Sequence, residues 1–252
     1  MLLSRPLVVV VSVVGLTVLW GELRSADGTR PKPSTYAPAK DLIRQSETYL
    51  KRIGEDLANE ADYGDDQKGR VAKDANTLVV IAQLLAMHDE SNDWRAAAAG
   101  VMEAAHQLAT SSDDYAEAKA AYDKLVAATK ASGEGKKVGT DPVAEIGMLM
   151  KQVPIVNNTL RRGVSGTRFA KTLDANAAQA ATLAAIAELS SFDKSYCSSD
   201  EDRALWEKVC GEMRDAAGEV VAAIRKEDQA KATAGLDKLV KSCDACHEKF
   251  RK

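Results

Sequence analysis

Val71, Ala75, Leu78, Ala82 and Leu85 fall at alternating steps of four and three residues. Only a helix returns such side chains to one face, and the narrow stripe they form is the seam of a helix bundle. A helical period runs through most of the chain beyond residue 40, which is Ala-rich, with Gly and Pro mostly between the periodic segments. Helices are predicted at about 39–59, 67–87, 93–109 and 113–131, with Asp93 as the N-cap of the third. Four more are predicted after SGEGKKVGTD. The first opens with Asp141 as N-cap and Pro142 in the first position, and the others cover about 167–189, 201–225 and 229–252. Pro154 is expected to kink the first of these. The fold class is therefore all-α.

The two sets of helices read as a repeat. AKDANTLVVIAQL from Ala72 is similar to TLDANAAQAATLAAIAEL from Thr172, and Trp94 and Trp206 occupy corresponding third helices. YDKLVAATKASG from Tyr122 aligns with LDKLVKSCDACH from Leu236, which puts Cys243 on Thr129, Cys246 on Ser132 and His247 on Gly133. The expected architecture is two tandem up-down-up-down four-helix bundles. Residues 40–131 form a bundle that keeps the scaffold without those three side chains. Residues 132–140 are the linker, and 141–252 form the second bundle.

Upstream, LVVVVSVVGLTVLW over residues 7–20 carries no charge and follows a single Arg. That is the length of a signal h-region, short of the roughly 20 residues of a full span. Residues 1–26 are read as a signal peptide or a retained N-terminal anchor, and the Pro-rich stretch 27–39 as a flexible spacer. The bulk of the chain is then exported, periplasmic or equivalent, and any membrane contact runs through the N-terminus. A net charge of -3 and the lack of a basic stripe argue against nucleic acid as a partner.

The chemistry concentrates at the C-terminus. Cys243-Asp244-Ala245-Cys246-His247 is a Cys-x-x-Cys-His motif, the pattern of c-type haem attachment. Two thiols reach the two vinyl groups on one porphyrin edge, and the following imidazole serves as axial ligand to the iron. At about 100° per residue, Cys243, Cys246, His247, Phe250 and Arg251 fit within an arc of roughly 140°. The apolar line of Ala232, Leu236 and Leu239 leads into it, so the group would dock in the bundle rather than in solvent. A thioredoxin-like redox pair needs a βαβ context, and structural zinc needs four ligands where two cysteines and one histidine are local.

CDACHEKFR at the chain's end, a Trp-bearing third helix and an exported four-helix bundle resemble the cytochrome c′ family. The resemblance covers about 141–252. It implies one covalent haem c, with His247 as the proximal iron ligand and with Arg251 and Phe250 as haem contacts. In that family the sixth iron position faces the first helix, at the residue seven beyond an early aliphatic; here Val143 leads to Met150. A ligating Met150 implies single-electron transfer with a redox partner protein. An open iron implies binding of small gases such as NO or CO. Neither is an enzyme activity. Members of the family pair through their first helices, so a homodimer or an internal pseudo-dimer is expected, and a haem-free first bundle could serve as a docking module. Met148 is an off-face alternative to Met150.

Cys197 and Cys210 flank the start of the third helix of the second half, and a disulfide between them is the expected reading in an oxidising compartment. His88 and His106, with Met87 and Met102, offer the donor types for a second haem, but nothing in the sequence places them opposite one another. The pairs Lys136-Lys137 and Arg161-Arg162 read as solvated charges.

Overall fold

The structure is a computed structural model that describes residues 30–133 and 135–251. The predicted signal or anchor and residues 27–29 of the expected spacer lie outside the described residues. The rest of that stretch is packed rather than free: Pro33–Thr35 form a 3₁₀ turn, the Ser34 N–H donates to Asp89 at 2.8 Å, and Tyr36 and Ala37 are buried. Eight helices follow in order: α1 Ala39–Asp56, α2 Asp65–Ala86, α3 Ala98–Thr110, α4 Tyr115–Ala128, α5 Ile146–Val164, α6 Leu173–Ser190, α7 Asp200–Arg225 and α8 Gln229–Phe250. The described residues contain no strand, so the all-α expectation holds. Among them, no helix is long and apolar enough to cross a membrane.

Helix ends follow local chemistry. Asp114, Ser199 and Asp228 each cap the N-terminus of α4, α7 and α8 by accepting a backbone N–H three residues on, at 2.9, 3.1 and 3.0 Å. Three predicted starts are corrected. Asp93 caps nothing, and α3 begins only at Ala98. The residues before it fold back over the end of α2, where Asn92 donates to the Leu85 carbonyl (3.0 Å) and Arg95 to those of His88 and Glu90. Those side chains give added donors to carbonyls at the end of α2 and in the stretch just beyond it. Asp141 and Pro142 open no helix either, because side chains of α2 hold that stretch extended. Gln83 donates to the carbonyls of Gly139 and Asp141, both at 2.9 Å, and Asn76 exchanges hydrogen bonds with the Glu145 backbone at 2.9 and 2.8 Å. Likewise α6 starts at Leu173, after a 3₁₀ turn over Gly166–Lys171. Pro154 lies inside α5, which continues through it. Lacking an N–H, it leaves the Met150 carbonyl without its helical donor.

Packing joins the halves. α1 lies on α2 and α6, and α2 lies on α1, α3, α5 and α6; α5 also packs on α6 and α8, and α7 is clasped between α6 and α8. One apolar core runs through both halves, from Leu42, Tyr49 and Ile53 through Leu78, Ile81 and Leu85 to Leu160, Leu183, Val220 and Leu236. Residues from Lys32 onward form one compact unit.

Within that core sits a polar cluster. The Asp74 carboxylate, 1% exposed, takes two hydrogen bonds from Arg52 of α1 and one from Gln152 of α5 at 3.0 Å. Gln152 also reaches the buried Tyr49 hydroxyl (3.2 Å). Burial pushes the Asp74 carboxyl up, and Arg52 pulls against it. A second tie runs from Arg225 of α7 to the buried Asp41 of α1, with Asp174 of α6 at 2.6 Å on the same guanidinium. Breaking a buried pair from one side strands a charge. Arg52→Met is expected to cost about 3 kcal/mol, read as a lower urea midpoint with unchanged slope. The double variant Arg52→Met/Asp74→Leu should recover most of it, because no charge is then left stranded.

Candidate functional site

The tail motif is carried by α8, and α8 is positioned through α7. At Gly235 the helices approach so closely that an added Cβ would lie 2.7 Å from Val220 Cγ2. At the far end Phe250, 5% exposed, meets the Trp206 ring edge-on at 5.0 Å and 83°. Trp206 stacks on Tyr196 at 5.9 Å and 8°, and its indole N–H donates to the Ser190 carbonyl at 2.9 Å. Lys249 adds an ion pair to Asp202 (3.1 Å). The helix therefore stays regular to Phe250, through both cysteines and His247.

Between α5, α6, α7 and α8 lies a cavity with about 890 Å³ of empty space, its open mouth included. Cys243, Cys246 and His247 line it from α8, with Val240, Ser242 and Asp244. Met150, Val153, Pro154 and Asn157 face them from α5, α6 supplies Ala187 and Ser190, and α7 supplies Trp206, Val209, Cys210 and Met213. The walls are mostly apolar. Two polar atoms are not satisfied: Ser190 Oγ, on a residue 5% exposed, and Asn157 Oδ1 are buried with no hydrogen-bond partner. A buried polar atom left unpaired is costly, and two on residues lining one cavity are an observation in favour of an occupant.

The sequence-derived residues divide. Cys243, Cys246, His247 and Met150 come together on the cavity. Phe250 is packed against Trp206 rather than on the cavity wall, and Arg251 lies past the end of α8, exposed and off the wall. Met148 is also off the wall, with its sulfur 3.8 Å from Lys151 Nζ. The four cysteines are unbridged thiols. Cys210 belongs to a small apolar cluster with Ile146, Trp206, Val209 and Phe250, and Cys197 and Cys246 both pack against it. Burial raises the Cys243 thiol, pushes Cys246 up to about 11 and Cys210 further still. His88 is 3% exposed; its Nε2 lies 2.9 Å from the Ala37 carbonyl and its Nδ1 accepts from the Glu90 N–H at 3.0 Å. Both ring nitrogens are thus engaged, and His106 is exposed.

Sequence reasoning missed Met213, Asn157 and Ser190. Met213 had a readable signal, since Trp206, Val209, Cys210 and Met213 repeat at three- and four-residue spacing. Asn157 likewise follows Met150 by two helical turns on α5.

The donor set suits a haem of the c type. There are two thiols three residues apart, an adjacent imidazole, apolar walls and a facing thioether. Among the described residues, no cluster of three or more His, Cys, Asp or Glu is placed to hold a bare metal ion. Comparison with family models, curated proteins and solved structures returned no match.

Because α8 is located by its contact at Gly235, Gly235→Ala should force α7 and α8 apart and cost about 1–3 kcal/mol. Gly211 of α7 has only the tip of Arg214, at 3.8 Å, within reach of an added Cβ. Gly211→Ala should instead stabilise by about 0.5–1 kcal/mol through helix propensity. Urea unfolding followed by circular dichroism reads both.

Proposed function

We propose that the chain is an exported monohaem c-type cytochrome that passes single electrons to and from a partner protein. The observation that carries this reading is convergence: both thiols and the imidazole of Cys-x-x-Cys-His line one apolar cavity whose opposite wall holds Met150. Cys243 and Cys246 would hold the haem covalently, and His247 would ligate its iron. When bound, the group supplies a one-electron iron couple. The chain's own part is to anchor it, offer axial donors and keep water from its faces. An apolar surround and a thioether ligand both favour the reduced state and raise the potential. The resemblance to cytochrome c′ over the second half agrees with this, as does the apolar run at residues 7–20.

The same reading treats α1–α4 as a haem-free copy of α5–α8, the two bundles forming an internal pseudo-dimer. In support, α1 lies on α6 and α2 on α5, so exchanging the halves turns one contact into the other, as in an isologous interface. The haem-free half is then structural, its α1 and α2 completing the core beneath α5 and α6.

A second reading, a small gas such as NO or CO on an open iron, is favoured by the unpaired Ser190 hydroxyl, which can donate to a bound diatomic. Spectra separate the two. With Met150 as sixth ligand, the ferric protein shows a methionine–iron charge-transfer band and the reduced protein is slow to take CO. Met150→Ala should abolish the band, admit CO rapidly and lower the reduction potential by on the order of 0.1 V, within the about 0.8 V that axial ligands command. High-spin wild-type spectra with fast CO uptake overturn electron transfer through Met150 and support the gas reading. In that case Ser190→Ala should shift the bound C–O stretch.

A further inference from the structure

We propose that Cys210 is a thiol that competes for Cys246, and that pairing of Cys210 with Cys197 removes this competitor so that Cys246 stays open for haem attachment. The inference rests on the haem reading above. Cys210 lines the same cavity as Cys243 and Cys246. Cys197, from the loop before α7, and Cys246, from α8, both pack against the small cluster that contains Cys210. One buried thiol therefore shares a small cluster with two others, on different elements. The Cys-x-x-Cys-His motif has use for only one of the three.

The chemistry makes the choice of partner consequential. To anchor a haem, the Cys246 S–H adds across a vinyl C=C, sulfur to one carbon and hydrogen to the other, with no net electron transfer. A sulfur already in a disulfide cannot do this. Disulfide formation removes two protons and two electrons from a thiol pair, and an oxidising thiol–disulfide carrier protein of the exported compartment takes up both electrons, its own disulfide becoming a dithiol. A Cys210–Cys246 bond would clamp α7 to α8 across the cavity and disable the motif. A Cys197–Cys210 bond joins a loop to the first turns of α7 and leaves the cavity open. Cys197 lies in the loop between α6 and α7, where a carrier reaches it more readily than a thiol inside the bundle.

The test exports the full chain alongside a haem-attachment system. Covalent haem per chain is read by mass spectrometry, and disulfides are mapped in the haem-free fraction. Wild type is expected to carry haem with Cys197 linked to Cys210. Cys197→Ser should lower haem loading several-fold, its haem-free fraction showing a Cys210–Cys246 link. Cys197→Ser/Cys210→Ser should restore loading, although it too lacks the disulfide. That rescue separates competition from misfolding: equal loss in the single and double variants overturns the proposal. So does full loading of Cys197→Ser, or a haem-free fraction of it without the Cys210–Cys246 link. If wild type takes no haem at all, the cytochrome reading fails. The thiol map still decides the pairing, since a shift from Cys197–Cys210 in wild type to Cys210–Cys246 in Cys197→Ser supports it and any other map overturns it.

Discussion

The Asp74 carboxylate is the point on which the arrangement turns. It is buried in a core made mainly of Leu, Val, Ile and Ala, and a charge there is tolerable only with its acceptor positions filled. Arg52 fills two from α1 and Gln152 one from α5, so a single residue of α2 fixes helices from both halves. Apolar packing tolerates a slide or a small rotation of a helix; three hydrogen bonds on one carboxylate do not. Gln152 lies beside Val153 and two residues from Met150. Holding Gln152 inward sets the rotation of α5, and that rotation presents Met150, Val153 and Asn157 to the cavity. The interface between the halves and the wall facing His247 are thus set by the same contact.

The same logic accounts for the stretch between the halves. Gln83 and Asn76 of α2 hold 139–145 extended, so α5 begins at Ile146, beside α2. The chain is delivered to the cavity by polar side chains on the far helix. This is a reason for the first half to be retained in a chain whose candidate site lies in the second.

Much of this was legible from the sequence, and where it was not the reason is physical. Helical period and the Cys-x-x-Cys-His spacing are local properties, and α1, α2, α7 and α8 lie within a few residues of expectation at their starts. Asp93 and Asp141 look like caps because capping is also local, but tertiary hydrogen bonds from α2 and from Arg95 claim the backbone there. Phe250 and Arg251 share the helical arc of the cysteines, yet an arc does not say which neighbour each side chain meets; Trp206 takes Phe250, and α8 ends before Arg251. Met213 was hidden for the converse reason. It lies on α7, and nothing in the spacing of α8 says that α7 forms a wall of the same cavity.

The alignment of the two halves proposed from the sequence bears on why such a cavity motif stands in only one of them. In the alignment, the counterparts of Cys246 and His247 are Ser132 and Gly133, but α4 stops at Ala128 and Gly133 has a φ of +99°, outside any right-handed helix. The first half lacks the last turns of helix as well as the thiols and the imidazole. In the second half those turns are kept by aromatic contacts, with Phe250 on Trp206 and Trp206 on Tyr196, whereas Trp94 is absorbed into the main core. Restoring the three side chains at positions 129, 132 and 133 would therefore not restore the site. The motif lies on a regular helix at the end of α8 because a separate apolar cluster, the one that also gathers Cys197 and Cys210, keeps that end helical and turned toward α5.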